Sequence, residues 1–418
     1  MRQVLLALAL LCTTLTLGAQ SNRTFTESVQ TLRCYVAERP DAPPILELPA
    51  DEHIAVEFDY LSHNYHRFLY RLEHCDANWE TTEALFETDY LTGNNGEEPI
   101  EDYAQSLNTT LLYTHYSLRL PNERIGFRLA GNYRLTLLDD TEGEPTKVAE
   151  VCFVAVNPRV ALSATASTDT EIDRNDSHQQ LTVRLNYNDL PVRDARRELS
   201  LVVLQNRRYD NAVRRPAPTS VTGQSLQWEH SRELIFPAGN EYRKFELLDT
   251  RMGTIGVDYV RWFDPYYHAT LFTDSPRRNY LYDEDQNGRS VIRTTDGTDS
   301  RTEADYVFVH FALKMPRRDD GDFYLNGDWT DDRFSDKWRL TYDEASGCYT
   351  AAPLLKLGYY SYQYLFLPHD AATAGLTAPA EGNFYQTENE YTVLAYYQAQ
   401  GARYEEPVGV LTFRFRPQ

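Results

Sequence analysis

The residues best equipped for chemistry are few and scattered. His63-Asn-Tyr-His66 places two imidazoles close together, the start of a metal site. On a strand, however, a spacing of three turns the rings to opposite faces, and no third ligand accompanies them. His74-Cys-Asp76 joins an imidazole to a thiol, the couple that activates cysteine nucleophiles, but adjacent strand residues also face opposite ways. Asp283-Glu-Asp-Gln-Asn-Gly288 copies the opening of a calcium loop. Its twelfth position is Thr294, where a bidentate Glu is required. The motifs Gly-x-Ser-x-Gly, Gly-x-x-x-x-Gly-Lys and His-Glu-x-x-His are absent. The expectation is a protein that is not an enzyme, with no catalytic residue, no metal site and no cofactor.

A second cluster suits binding better than catalysis. Phe323 to Trp338 contains an alternating strand, an Asn-Gly-Asp turn and two tryptophans. Aromatic rings beside carboxylates and amides stack on carbohydrate, and they also fill cores and interfaces. Core or interface use of Trp329 and Trp338 is the preferred reading, with sugar stacking as the alternative.

What positions these residues is a chain of strands. Ile54–Phe58, Phe68–Leu72, Tyr116–Leu120 and Tyr133–Leu137 alternate apolar with polar, and Pro121-Asn122 and Gly131-Asn132 punctuate them. Further runs follow at Leu181–Leu185, Leu199–Leu204, Glu233–Phe236, Tyr242–Leu247, Tyr306–Phe311 and Val410–Arg416. No long helical run interrupts them. The fold expected is all-β: three consecutive immunoglobulin-like or early-set β-sandwich domains over residues 25–157, 158–300 and 303–418. Arg207 to Pro218 reads as a polar loop within the second, and Asp283 to Arg301 as a loop or linker.

Met1-Arg2, the apolar run Val4 to Leu11 and Leu17-Gly-Ala19 form a signal peptide expected to be cut after about Ala19. That run is much shorter than the ~20 residues that span a bilayer. Cys12 follows Leu11 rather than a small residue and is expected to leave with the signal. The mature chain is expected to be exported and not membrane-spanning. Cys34, Cys75, Cys152 and Cys348 then remain, with no C-x-x-C spacing; Cys34 and Cys152 could close the first domain, and free buried thiols fit equally. The net charge of -21 argues against a nucleic-acid partner.

Two resemblances sharpen this. Residues 303 to 370, with Asn326-Gly-Asp-Trp329 and Gly358-Tyr-Tyr-Ser-Tyr-Gln-Tyr364, resemble the early-set sandwich of glycogen-binding modules. Over the whole chain, Tyr70-Arg-Leu-Glu-His-Cys-Asp-Ala-Asn-Trp79, Tyr113-Thr-His-Tyr116, Gly131-Asn-Tyr133, Phe236-Pro-Ala-Gly-Asn-Glu-Tyr-Arg243 and Thr387-Glu-Asn-Glu-Tyr391 resemble the plug protein of the type IX secretion system. That resemblance implies a periplasmic protein of the Bacteroidetes type that seals the periplasmic mouth of an outer-membrane translocon barrel. A periplasmic carbohydrate-binding protein is the alternative. Contact with the barrel is expected from the loops Asp89–Glu98, Arg207–Pro218 and Trp329–Trp338. The candidate partner-binding residues are Arg207, Arg208, Arg214, Arg215, Trp329 and Trp338.

Overall fold

The computed structural model describes residues 22–417 apart from 94–97, 142, 188–189, 296–298, 331–333 and 371–373; the expected signal peptide and Cys12 lie outside the described residues. The chain is all-β. Its sheets pair into three sandwiches, each with its own apolar core.

In the first sandwich, strands Thr146–Val156, Gly131–Asp139 and Phe68–Cys75 form the centre of one sheet, while Val29–Val36, Ile54–Tyr60 and Thr114–Leu120 lead the other. Period-two alternation is plain in Gly131–Asp139, whose Tyr133, Leu135 and Leu137 are fully buried among Phe58, Phe68 and Tyr116.

The second and third sandwiches depart from the serial order expected. One sheet of the second holds His178–Asn186 and Ser225–Trp228. Its other sheet runs Arg208–Arg214, Leu199–Gln205, Asn389–Tyr397, Glu406–Phe415, so the last two strands of the chain return to close it. Residues 243–368, from Arg243–Leu247 to Gly358–Pro368, build the third sandwich as an insertion within the second. A division at 300–303 therefore does not follow the sheets. The physical reason is core completion: Leu201 and Val203 share their core with Tyr391 and Val393 of the neighbouring strand and with Val408, and local sequence carries no sign of a pairing partner nearly two hundred residues away.

Arg207 to Pro218 differs as well. Arg208–Arg214 is a strand joined to Leu199–Gln205 by a turn in which Asn206 (φ 51°) and Arg207 (φ 61°) are both left-handed. Two consecutive positive φ values define the type I′ hairpin, usually announced by Asn-Gly. With Asn-Arg instead, the turn reads as a loop.

Where the chain leaves and re-enters the second sandwich, two segments cross. Thr387 Oγ1 donates to the Gly239 carbonyl (3.0 Å), Asn389 Nδ2 to Ala238 (2.9 Å) and Asn240 Nδ2 to Glu381 (2.9 Å). The runs Phe236–Arg243 and Thr387–Tyr391, conspicuous in the sequence, are the two sides of this crossing.

Candidate functional site

The residues with catalytic potential are used structurally. His74 lies in the first sandwich, its ring 3.0 Å from Thr82 Oγ1 and 3.2 Å from the Ala130 carbonyl, among Tyr90, Tyr133 and Tyr404. Cys75 points the other way, into a separate apolar seam with Trp79, Cys152, Val202, Leu204 and Tyr396 that joins the first two sandwiches. Burial pushes its thiol up to about 12, away from a reactive thiolate. Cys34, Cys75, Cys152 and Cys348 are thiols rather than disulfides. Asp76 Oδ1 accepts from the backbone N–H groups of Asn78 (2.9 Å) and Glu80 (3.0 Å), shaping the turn that carries Trp79 at φ 66° into the seam. The His-Cys-Asp-x-x-Trp stretch thus builds a joint between sandwiches. Asp285 spends its carboxylate on the backbone N–H groups of Tyr242 and Asn287.

A second joint is ionic. Asp59 of the first sandwich meets Lys356 Nζ (2.6 Å) and Tyr306 Oη (2.7 Å) of the third, together with His115 Nδ1 (2.7 Å). Asp59 and Lys356 side chains are each 1% exposed. Burial alone would raise the Asp59 carboxyl, but Lys356 and the hydrogen bonds outweigh it and hold the group below its ordinary value. Tyr113 donates to the Ala304 carbonyl (2.8 Å), and Asp305 accepts from the N–H groups of Thr110 and Leu111 (2.9 and 3.2 Å). These bonds lock the first and third sandwiches together.

The arginine run is also spent on joints. Arg207 pairs with Glu390 (3.0 Å) and donates to the Asp41 carbonyl of the first sandwich. Arg208 is buried on Asp210 and the Gly375 carbonyl, Arg214 donates to Ala77 (3.0 Å), and Arg215 forks onto Glu405 (2.9 Å to each oxygen). The structure brings Trp329 and Trp338 together, 5.3 Å apart and edge to face. Trp338 is buried in the third core, and Trp329 is held by Phe311, Tyr360 and a bond from Nε1 to Ser361 O (3.1 Å). Two perpendicular rings packed this way do not form the open flat platform on which a sugar stacks.

An exposed aromatic edge lies outside the sequence candidates. In the third sandwich, Val257–Phe263 and Tyr266–Leu271 form a hairpin, with Val257–Phe263 at the sheet edge. Tyr259, Trp262 and Phe263 are 39%, 47% and 55% exposed, and Trp262 leans on Tyr267 while Tyr266 meets Phe308. Single exposed aromatics are ordinary; three on one edge strand, Trp262 on one face and Tyr259 and Phe263 on the other, mark that edge as an interaction surface. The signal was present as two aromatic runs about Asp264-Pro265, but no chemistry-bearing residue drew attention to it.

Three comparisons bear on this architecture. A family model described as the type 9 secretion system plug protein 1st domain matches residues 29–157, the span of the first sandwich. The crystal structure of a hypothetical protein from Parabacteroides merdae ATCC 43184 is similar at TM-score 0.91 and 38% identity, covering 95% of this chain and 99% of that one. The C-terminal domain of the antigen I/II-family protein AspA of Streptococcus pyogenes aligns over 92% of this chain and 99% of its own, but at 8% identity and TM-score 0.18 it supports no argument. No curated protein matches the sequence. Fold and comparisons define a multi-sandwich protein of a secretion machinery. The chain belongs to the type 9 secretion system plug protein family. Among the described residues no helix is long and apolar enough to cross a membrane.

Proposed function

We propose that the protein is the periplasmic plug of a type IX secretion translocon, binding the periplasmic mouth of its outer-membrane barrel and sealing it by occupancy. The observation that carries this reading is the family match over the first sandwich. The geometry supports it: three cores joined through the Trp79 seam and the Asp59–Lys356 pair give a broad body that covers area. Of the sequence candidates, Arg215 keeps the largest exposure among the four arginines paired within the chain, yet Glu405 already holds it. The hairpin bearing Tyr259, Trp262 and Phe263 is the better anchor, since specific association needs roughly 1,000 Å² of buried surface with aromatic residues at its centre.

The test is capture from detergent-solubilised outer membranes with a tagged full-length chain. A barrel of very high mass should co-purify, and changing Trp262→Ser with Phe263→Ser should reduce its recovery at least about tenfold, as expected for aromatic anchors. Absence of such a barrel sinks the plug reading. Undiminished recovery with the double variant removes the hairpin as the anchor.

A further inference from the structure

Six of the ten histidines set a ring nitrogen on a carboxylate: His53, His66, His115, His178, His230 and His369. His63 and His74 meet neutral oxygens. His268 and His310 meet each other. Nδ1 of His268 lies 2.8 Å from Nε2 of His310, the ring planes differ by 28°, and the centroids are 5.1 Å apart. That separation is the nitrogen to nitrogen distance plus the two ring radii, so the facing nitrogens point at each other along one line with a single hydrogen between them.

The bond spans strands Tyr266–Leu271 and Tyr306–Lys314, whose parallel ladder, from Tyr267 against Val307 to Thr270 against His310, fastens the edge hairpin to the body of the third sandwich. His268 is also stacked on Phe308 (5.2 Å, 21°) and stands edge to face with Phe263 of the hairpin (5.3 Å, 85°). Both imidazoles are half-buried, so protons reach them from solvent. On the face they share, Arg261 stands opposite His268 on the edge strand, Lys314 lies further along the strand of His310, and Lys356 on the flanking strand is taken up by Asp59. The other titratable groups on that face are the phenols of Tyr259, Tyr266 and Tyr306 and the Cys348 thiol opposite Lys314. No carboxylate pairs with either ring among the described residues; what acts on His310 is burial and His268, and both lower it.

Counting hydrogens gives the pair two distinct steps. In the uncharged pair one ring donates through its facing nitrogen and the other accepts. A first added proton goes to the outer nitrogen of the donating ring, and the bond survives with a charged donor. A second must sit on the facing nitrogen of the acceptor, where it meets the hydrogen already there. Two cations then stand nose to nose beside Arg261 and Lys314, and the rings part. We propose that His268 and His310 form a proton-operated catch that holds the aromatic hairpin against the body of the third sandwich and opens when both imidazoles are charged. Parting the rings also breaks the stack of His268 on Phe308 and its contact with Phe263, so the hairpin loosens with them. Because His310 is lowered, the closed catch is complete above the ordinary 6.5 and is lost as pH falls through the lower folded value. The inference does not rest on the plug reading, since it concerns the hairpin of the isolated chain.

Hydrogen exchange of the full-length chain, with each rate corrected for its intrinsic pH dependence, tests this. Amides of Tyr266–Leu271 should lose protection at least about tenfold as pH falls from about 7.5 to about 4.5, while those of Gly131–Asp139 in the first sandwich keep theirs. His310→Gln puts an amide that takes no proton near the facing nitrogen, so its hairpin should stay protected over the whole range; protection at neutral pH shows that this variant is folded. Hairpin protection that does not change with pH in the unaltered chain, or an equal loss in the His310→Gln chain, overturns the catch. An NMR titration of the two imidazole C–H signals reads the hydrogen count itself. Each signal should respond to both protonation steps, and two independent single-step curves overturn the shared hydrogen.

Discussion

Asp59 has water on no side, and its stability rests on Lys356, His115 and Tyr306. Removing one partner from a buried pair strands the other charge, so Asp59→Asn should cost about 3–5 kcal/mol in a denaturant titration. Replacing both, as Asp59→Leu with Lys356→Met, should recover much of that loss; a single variant as stable as wild type would show that the pair contributes nothing. The same carboxyl fixes an acid limb. Its folded value lies below the ordinary 3.8, so its contribution is complete above that value and is lost as pH falls through the lower folded one. Glu241 behaves oppositely. It is 3% exposed beside the crossing segments and accepts from Tyr280 Oη (2.7 Å), and burial raises its carboxyl to about 7. The contribution of its protonated form is complete below 4.5 and is lost as pH rises toward 7, on the order of 3 kcal/mol in all. Glu241→Gln should therefore gain stability relative to wild type as pH rises from 5 to 8. A difference in unfolding free energy that does not change with pH would refute the assignment.

Among the elements, strand Gly131–Asp139 shows why a short sequence signature can be structural. A Cβ on Gly131 would sit 2.1 Å from His74 Nε2, and Asn132 bridges the Asp76 carbonyl (2.8 Å) and Tyr396 Oη (3.0 Å) across the first two sandwiches. Gly131→Ala should cost about 1–3 kcal/mol through overpacking against a ring already fixed on both nitrogens. Thermal unfolding checks this, and an unshifted midpoint would mean that His74 moves aside freely. Ile54–Phe58 was readable because one-sided burial imposes period two, and Leu199–Leu204 because burial on both faces, Leu201 and Val203 in the second core and Val202 and Leu204 in the seam, makes it a nearly continuous apolar run. Glu233–Phe236 was only half right, since Arg232–Leu234 is a 3₁₀ turn leading into Ile235–Pro237. The Arg208 strand was missed because its I′ turn lacks glycine, and the pairing of Leu199–Gln205 with Asn389–Tyr397 has no local mark at all. Trp329 and Trp338 are close in sequence and their rings touch, but no local signal shows that Arg33, Arg207 and Arg289 line one cleft, since three separate cores must pack before they do.

For the whole molecule, the insertion makes a strong claim about autonomy. Its two ends meet at the Asn240–Glu381 bond, so residues 242–380 can be excised and the gap closed with a short glycine linker. The remaining chain should keep the first two sandwiches, because their cores draw on no inserted residue. Burial of Trp228, read by its fluorescence, reports the result, and an exposed Trp228 would show that the second core depends on the inserted one. The same topology also sets a clock. A ribosome delivers the chain from the N-terminus, so strand Leu199–Gln205 emerges long before Asn389–Tyr397, its sheet neighbour. At typical synthesis speeds of about 5–20 residues per second the delay is on the order of ten to forty seconds. During that interval one side of Leu199–Gln205 has no mate and its apolar face no cover, while the first sandwich, whose strands all lie upstream, is free to form. The growing chain therefore passes through a half-built stage in which Leu199–Gln205 presents an open β-edge.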